Sequence, residues 1–287
     1  MAYRRDRNIT AELPGYRRML AHLTPTRGAA TVYFTQTLDV TQTLEWLAAT
    51  EQETGSTISF LHLFIAAVGR LLHDNPNLNR YATGHRIYQR DGVTISVSAK
   101  KALRQGSKVV LLKLPIEARD DLAAIVERFA ALLGEGRSGR ELHQEKEIAL
   151  FLKLPAFLLR WAIKLQQALD RWHWLPGALV DPDPLYSSMV VANLGSVGLD
   201  AAYHHLYEYG NCPFFAVIGR IREEFRSVDG EPRLRKIVEI KYSFDERIDD
   251  GRLAGFGIMF DVDHLRHRMV ALADFQPALV AGRNSGT

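Results

Sequence analysis

The chain has 287 residues, enough to bury a substantial core as one large domain or two small ones, and its 47% hydrophobic and 24% charged residues are those of an ordinary soluble globular protein. The 36 basic and 33 acidic residues leave a formal charge of +3 with no long block of like charge, so nucleic acid is not an expected partner. A single cysteine, Cys212, excludes an internal disulfide framework and a cysteine-rich zinc site, and the basic start of the chain leads into no apolar run of signal-peptide type, so the expected location is the cytoplasm.

Residues 1–30 show no strand-like alternation and read as an arm with a short helix at Tyr16–Leu20. Thr31–Val40 alternates β-branched and aromatic residues with polar ones, which predicts a strand, and Thr41 is placed to cap a helix running through Glu51. After Gly55 and Ser56, apolar residues at Leu61, Phe64, Ile65, Val68 and Leu72 share one face of a helix over 60–73, which Pro76 stops. Strands are predicted at 86–88, 93–98 and 108–113, then a helix from Asp120–Asp121 to about Leu133, closed by Gly134, Gly136 and Gly139.

Residues 148–180 are strongly apolar, yet Lys153, Pro155, Arg160 and Lys164 interrupt them, whereas a spanning helix needs roughly 20 apolar residues with few charges. Three readings stay open: a helical pair packed on the domain or a neighbouring subunit, an interfacial helix with Trp161, Trp172 and Trp174 at headgroup level, or a lid over an acyl chain. Ser188–Gly198 reads as a strand ending in a glycine-punctuated turn, and Pro213–Ile221 as the next strand. Arg235–Phe244 reads as the last long strand, paired with its predecessor across Asp229-Gly230. A helix over 253–272 and a tail over 273–287 complete the chain.

Asp245-Glu246-Arg247-Ile248-Asp249-Asp250-Gly251 resembles the Asp-His-Arg-x-x-Asp-Gly signature of the catalytic domain of 2-oxo acid dehydrogenase acyltransferases, relatives of chloramphenicol acetyltransferase. Asn193-Leu194-Gly195 looks like the end of that family's Thr-Ile-Ser-Asn-Leu-Gly segment, and Asn75–Asn79 stands where it has a His-Pro-x-Leu-Asn turn. The resemblance is collinear over about residues 16–270 and implies an α/β fold: a two-half mixed sheet of about six strands flanked by helices, acyltransferase-like over 31–272, with 148–180 as an insertion. It further implies a homotrimer whose channels between subunits take coenzyme A or an acyl-CoA as substrate. Full-length members carry lipoyl and subunit-binding domains ahead of this one, for which 287 residues leave no room.

In that family the signature histidine is the base and the serine of the Asn-Leu-Gly segment, reached across a subunit interface, is the oxyanion donor. Glu246 and Ala192 stand there instead. Loss of one oxyanion donor costs roughly 10²–10³ in rate and loss of a general base about 10²–10⁴, as one unit rather than as a product. A carboxylate at 246 serves as a base if burial raises its pKa; otherwise Glu246 or Asp250 forms a salt bridge with Arg247 or with an arginine of the arm. His204 and His205 are either a relocated base near Glu246 or part of an ordered loop at a subunit contact. Asp250 is mainly structural in the family; Ala192, Asn193, Gly195 and Ser196 are the expected substrate-binding residues, and no ligand spacing supports a metal. The two overall readings are an acyltransferase-like protein with altered catalytic residues, and a silent trimeric scaffold that docks on a partner or membrane through 148–180.

Overall fold

The alternation read at 235–244 extends in the structure to a 15-residue strand that organises the main sheet. The computed structural model describes residues 6–55, 57–100, 109–137 and 155–249. Among these, in chain order, are β1 (Arg7–Asn8), α1 (Gly15–Leu23), β2 (Thr31–Asp39), α2 (Thr41–Thr54), α3 (Phe60–Asp74), β3 (Arg80–Thr83), β4 (Arg86–Gln89), β5 (Val93–Lys100) and β6 (Val109–Ile116). They are followed by α4 (Leu122–Arg137), α5 (Ala156–Arg171), α6 (Gly177–Val180), β7 (Met189–Asn193), β8 (Phe214–Ile218), β9 (Arg222–Val228) and β10 (Glu231–Asp245). The expected 253–272 helix and 273–287 tail, Asp250 and residues 148–154 lie outside the described residues.

The main sheet has the order β2-β10-β8-β7-β5-β6, with β9 as a seventh strand on β10. The pairs β5–β7 and β7–β8 are parallel and the others antiparallel, so the sheet is mixed, as the resemblance implies. Successive side chains point to opposite faces. Val238, Ile240, Tyr242 and Phe244 of β10 therefore share one buried face with Met189 and Val191 of β7, under α2, α3 and α4. Val190 and Ala192 point the other way, where Ala201, Leu206 and Cys212 cover them together with Phe215 and Val217. A strand central to the sheet is buried on both faces, which explains the near-continuous apolar run at 189–192.

Several boundaries differ from the sequence reading, each for a local reason. Thr41 does not cap α2: its backbone N–H and hydroxyl both donate to Asp39 Oδ1, at 3.0 and 2.7 Å, so the aspartate two residues upstream closes the turn. Gly134 lies inside α4 and does not end it. The arm contributes β1, which joins β3 and β4 in a small antiparallel sheet, and β3 and β9 are additional strands too short or too polar to show an alternation. The β9–β10 hairpin does turn at Asp229-Gly230, with φ of 54° and 83°, the two left-handed residues of a tight hairpin loop.

Lys113 ties edge strand β6 to the segment after α6, its Nζ donating to the carbonyls of Asp181 (2.9 Å), Asp183 (3.1 Å) and Val180 (3.4 Å). Burial, and next the charge of Arg90, push its pKa from 10.5 down to about 8, against the pull of Asp183 and Asp181. Between these two values the unfolded chain binds the proton that the folded chain has lost, so stability rises with pH across that window and the gain is lost as pH falls through 8. Relative to Lys113→Met, the wild type is expected to gain on the order of 2 kcal/mol from pH 8 to 10.5 in urea denaturation. Parallel curves for the two proteins would contradict this.

Candidate functional site

The sequence-predicted residues separate into three places. The first is the corner after β10. Asp245, Arg247, Ile248 and Asp249 are buried there, and Glu246 is partly buried. Arg247 grips Asp245 with two parallel hydrogen bonds, Nε to Oδ1 at 2.8 Å and Nη2 to Oδ2 at 2.7 Å, and donates a third from Nη1 to the Thr24 carbonyl at 3.2 Å. Burial works against the charge on Arg247, but the bonds and charge of Asp245 prevail and hold its pKa above the usual value.

Arg27, also buried, brings Nε to 3.8 Å from Asp245 Oδ2, and burial lowers its pKa against the pull of that carboxylate. Of the two carboxylates expected to pair with an arginine, Glu246 makes no ion pair among the described residues and Asp250 lies outside them, while Asp245 holds both Arg247 and Arg27. Arg17 of the arm donates from Nη1 to the Glu246 carbonyl at 2.5 Å, and Glu246 N–H donates to the Ala30 carbonyl at 3.0 Å. No hydrogen bond or ion pair holds the Glu246 carboxylate among the described residues.

The second place is the face of β7 and β8 that carries Ala192, over which the 201–212 segment lies. The His204 ring stacks on Phe215 with centroids 3.9 Å apart, its Nδ1 is 2.7 Å from the His205 carbonyl oxygen, and Ser243 Oγ donates to the His204 carbonyl. His205 is exposed, stacked on His204 and edge-on to Tyr207. Among the described residues no hydrogen bond or ion pair joins either imidazole to the Glu246 carboxylate. Glu208 accepts from the backbone N–H groups of Arg27 and Gly28 at 3.1 and 2.7 Å, so this loop and the arm are tied together. Cys212 is buried, and burial pushes its thiol pKa up, away from nucleophilic use.

The third place is a cleft of about 740 Å³ at the carboxyl ends of the parallel strands β7 and β8, walled by Leu44 and Glu51 of α2, Phe60 of α3, and Asn193, Ser196 and Arg220. Open α/β sheets commonly take ligands at such ends. Gly195 also lines it. Asn193 Oδ1 accepts from Ser196 N–H at 3.2 Å and Ser196 Oγ donates to the Asn193 carbonyl at 2.7 Å, so these two residues shape the turn as well as the wall. Ala192, one residue earlier in the strand, faces the opposite side of the sheet, which separates it from the other three expected substrate-binding residues.

Residues 8–110 match the family model of 2-oxoacid dehydrogenases acyltransferase (catalytic domain). A probable dihydrolipoamide acetyltransferase from Listeria monocytogenes 4b F2365 superposes with a TM-score of 0.58 at 17% identity, over 89% of this chain and 93% of that one. The cubic core of the pyruvate dehydrogenase multienzyme complex gives 0.56 at 14% identity, over 96% and 92%. The fold is that of the acyltransferase catalytic domain. A chloramphenicol acetyltransferase shares it, with a TM-score of 0.54 at 11% identity over 91% and 99%. No curated protein matches in sequence. Within this fold, Arg17 and Arg27 are the arm arginines that reach the corner; sequence reasoning expected an arginine of the arm there without saying which, and expected Glu246 or Asp250, not Asp245, to hold it.

Proposed function

We propose that this protein is an acyltransferase-like homotrimer that holds a CoA thioester or similar acyl donor in a channel between subunits, with Glu246 in the place of the usual base. The observation that carries the reading is the separation of Glu246 from Ala192 within one chain. Ala192 pairs with Val217 and Val217 with Lys241, and Glu246 lies five residues beyond Lys241. At the spacing of β-sheets this is about 17 Å along the strands and about 10 Å across them. A site that unites the two positions is built between two copies.

Features of the surface support an assembly. The outer edge of β2 is unpaired among the described residues, and Phe225 and Leu234 form an exposed cross-strand pair on the β9–β10 hairpin. Ala192, with its apolar surroundings, favours the second reading, a catalytically silent scaffold, since it offers no hydroxyl to an oxyanion.

Calorimetric titration of the full chain with CoA and short acyl-CoA thioesters separates the readings. Saturable binding near one site per chain is expected, with Glu246→Gln keeping the binding and losing about 10²-fold or more of any turnover. An absence of binding across the series would overturn the proposal in favour of the scaffold.

A further inference from the structure

We infer that α5 and the turn after it form a docking surface for an anionic lipid bilayer. Three of the chain's four tryptophans stand here, Trp161, Trp172 and Trp174, at 71%, 53% and 68% exposure, although large aromatic side chains are on average highly buried. Phe157 and Leu165 are exposed one helical turn on either side of Trp161, with Leu158 beside them. At about 100° per residue these four side chains occupy an arc of about 100°, and the same stripe runs on into Trp172.

The adjoining face of α5 fixes this orientation. Gln166 Nε2 donates to the Tyr209 hydroxyl at 2.8 Å, and Leu169 packs on buried Leu175, Val180 and Tyr186. The stripe is thus held outward by the protein itself.

Charge identifies the occupant. Arg160, Lys164 and Arg171 are exposed along one flank of the stripe, and the Arg86 guanidinium lies over the Trp172 ring at 5.1 Å. The sole acidic residue of α5, Asp170, is buried on the other side. A tryptophan-rich apolar face with a cationic flank and no exposed carboxylate matches the headgroup layer of an anionic leaflet. No helix among the described residues is long and apolar enough to cross a membrane, and α5, about 24 Å long with cations in its middle, fits the plane of the interface. This surface does not depend on the acyl-donor reading.

The test uses the full chain with phosphatidylcholine vesicles and with vesicles in which about a third of the lipid is phosphatidylglycerol. Co-sedimentation with the anionic vesicles alone is expected, weakened at about 0.5 M salt, together with a blue shift of tryptophan emission. Trp161→Ser with Trp172→Ser should lower the partition at least about tenfold, and Arg160→Glu with Lys164→Glu should remove the preference for anionic lipid. Both pairs are exposed, so the thermal midpoint should stay within a few degrees and certify the fold. Failure to bind either vesicle, equal binding to both, or unchanged binding by the tryptophan variant overturns the inference. So does light scattering that shows an assembly taken apart by Trp161→Ser, which would give the face to a second copy.

Discussion

Asp245→Asn is expected to destabilise the fold by about 3–5 kcal/mol, read as a fall in the urea midpoint followed by circular dichroism. The substitution keeps size and shape but removes the charge that two buried guanidinium groups share, the bidentate partner Arg247 and, at 3.8 Å, Arg27. A buried cation without a counter-charge is among the few single-residue defects that cost this much. Removal of both members of the close pair, Asp245→Leu with Arg247→Met, should cost less than the sum of the two single changes, because neither leaves the other's charge behind. Glu246→Gln one residue away is the control. Its carboxylate has no hydrogen-bond or ion-pair partner among the described residues, and a shift of no more than about 0.5 kcal/mol is expected. Equal losses at 245 and 246 would mean that the charge network is not what holds this corner.

Gly195→Ala is expected to cost about 2–3 kcal/mol and to weaken acyl-donor binding at least about tenfold if the donor uses the cleft. A Cβ on Gly195 would stand 2.4 Å from the Gly219 carbonyl oxygen and 2.9 Å from its carbon, both backbone atoms. Neither side can yield cheaply. Leu194 N–H donates to the Ile218 carbonyl, Gly219 N–H to the Glu239 carbonyl and Arg220 N–H to the Leu199 carbonyl, each at 2.9 Å. Any movement that relieves the clash also moves Asn193 and Ser196 in the cleft wall. Gly198 isolates the cause: it has the left-handed φ of 77° but open space where a Cβ would go. Gly198→Ala, at a glycine that also lines the cleft, should therefore cost only the roughly 1–2 kcal/mol of the backbone conformation. An equal loss of stability in both variants would place the sensitivity in the turn itself, not in its close approach to β8.

The sequence by itself determined the elements whose signals are local. The period of 3.6 in 60–73, the alternation at 31–40 and 235–244, the turn glycines and the three matching segments in their order were enough for the α/β fold and for the identity of the positions that differ from the family's, 192 and 246. Strands such as β1 and β3, two and four residues long, carry too few side chains to show a period and exist because β4 pairs with them.

Only the tertiary structure decided which carboxylate the arginines use. Asp245 and Glu246 are adjacent and both acidic, but after an extended strand they face different surroundings, and burial assigns the ion pairs to the one that cannot be left unpaired. The same alternation split Ala192 from Asn193, which in sequence form one motif and in space lie on opposite faces of β7. The sequence also contained the tryptophans and cations of 156–174, but three readings of them remained open there. It was the fixing of α5 through Gln166 and Leu169 that turned the aromatic stripe outward, because an amphipathic pattern defines two faces and only packing decides which one is covered.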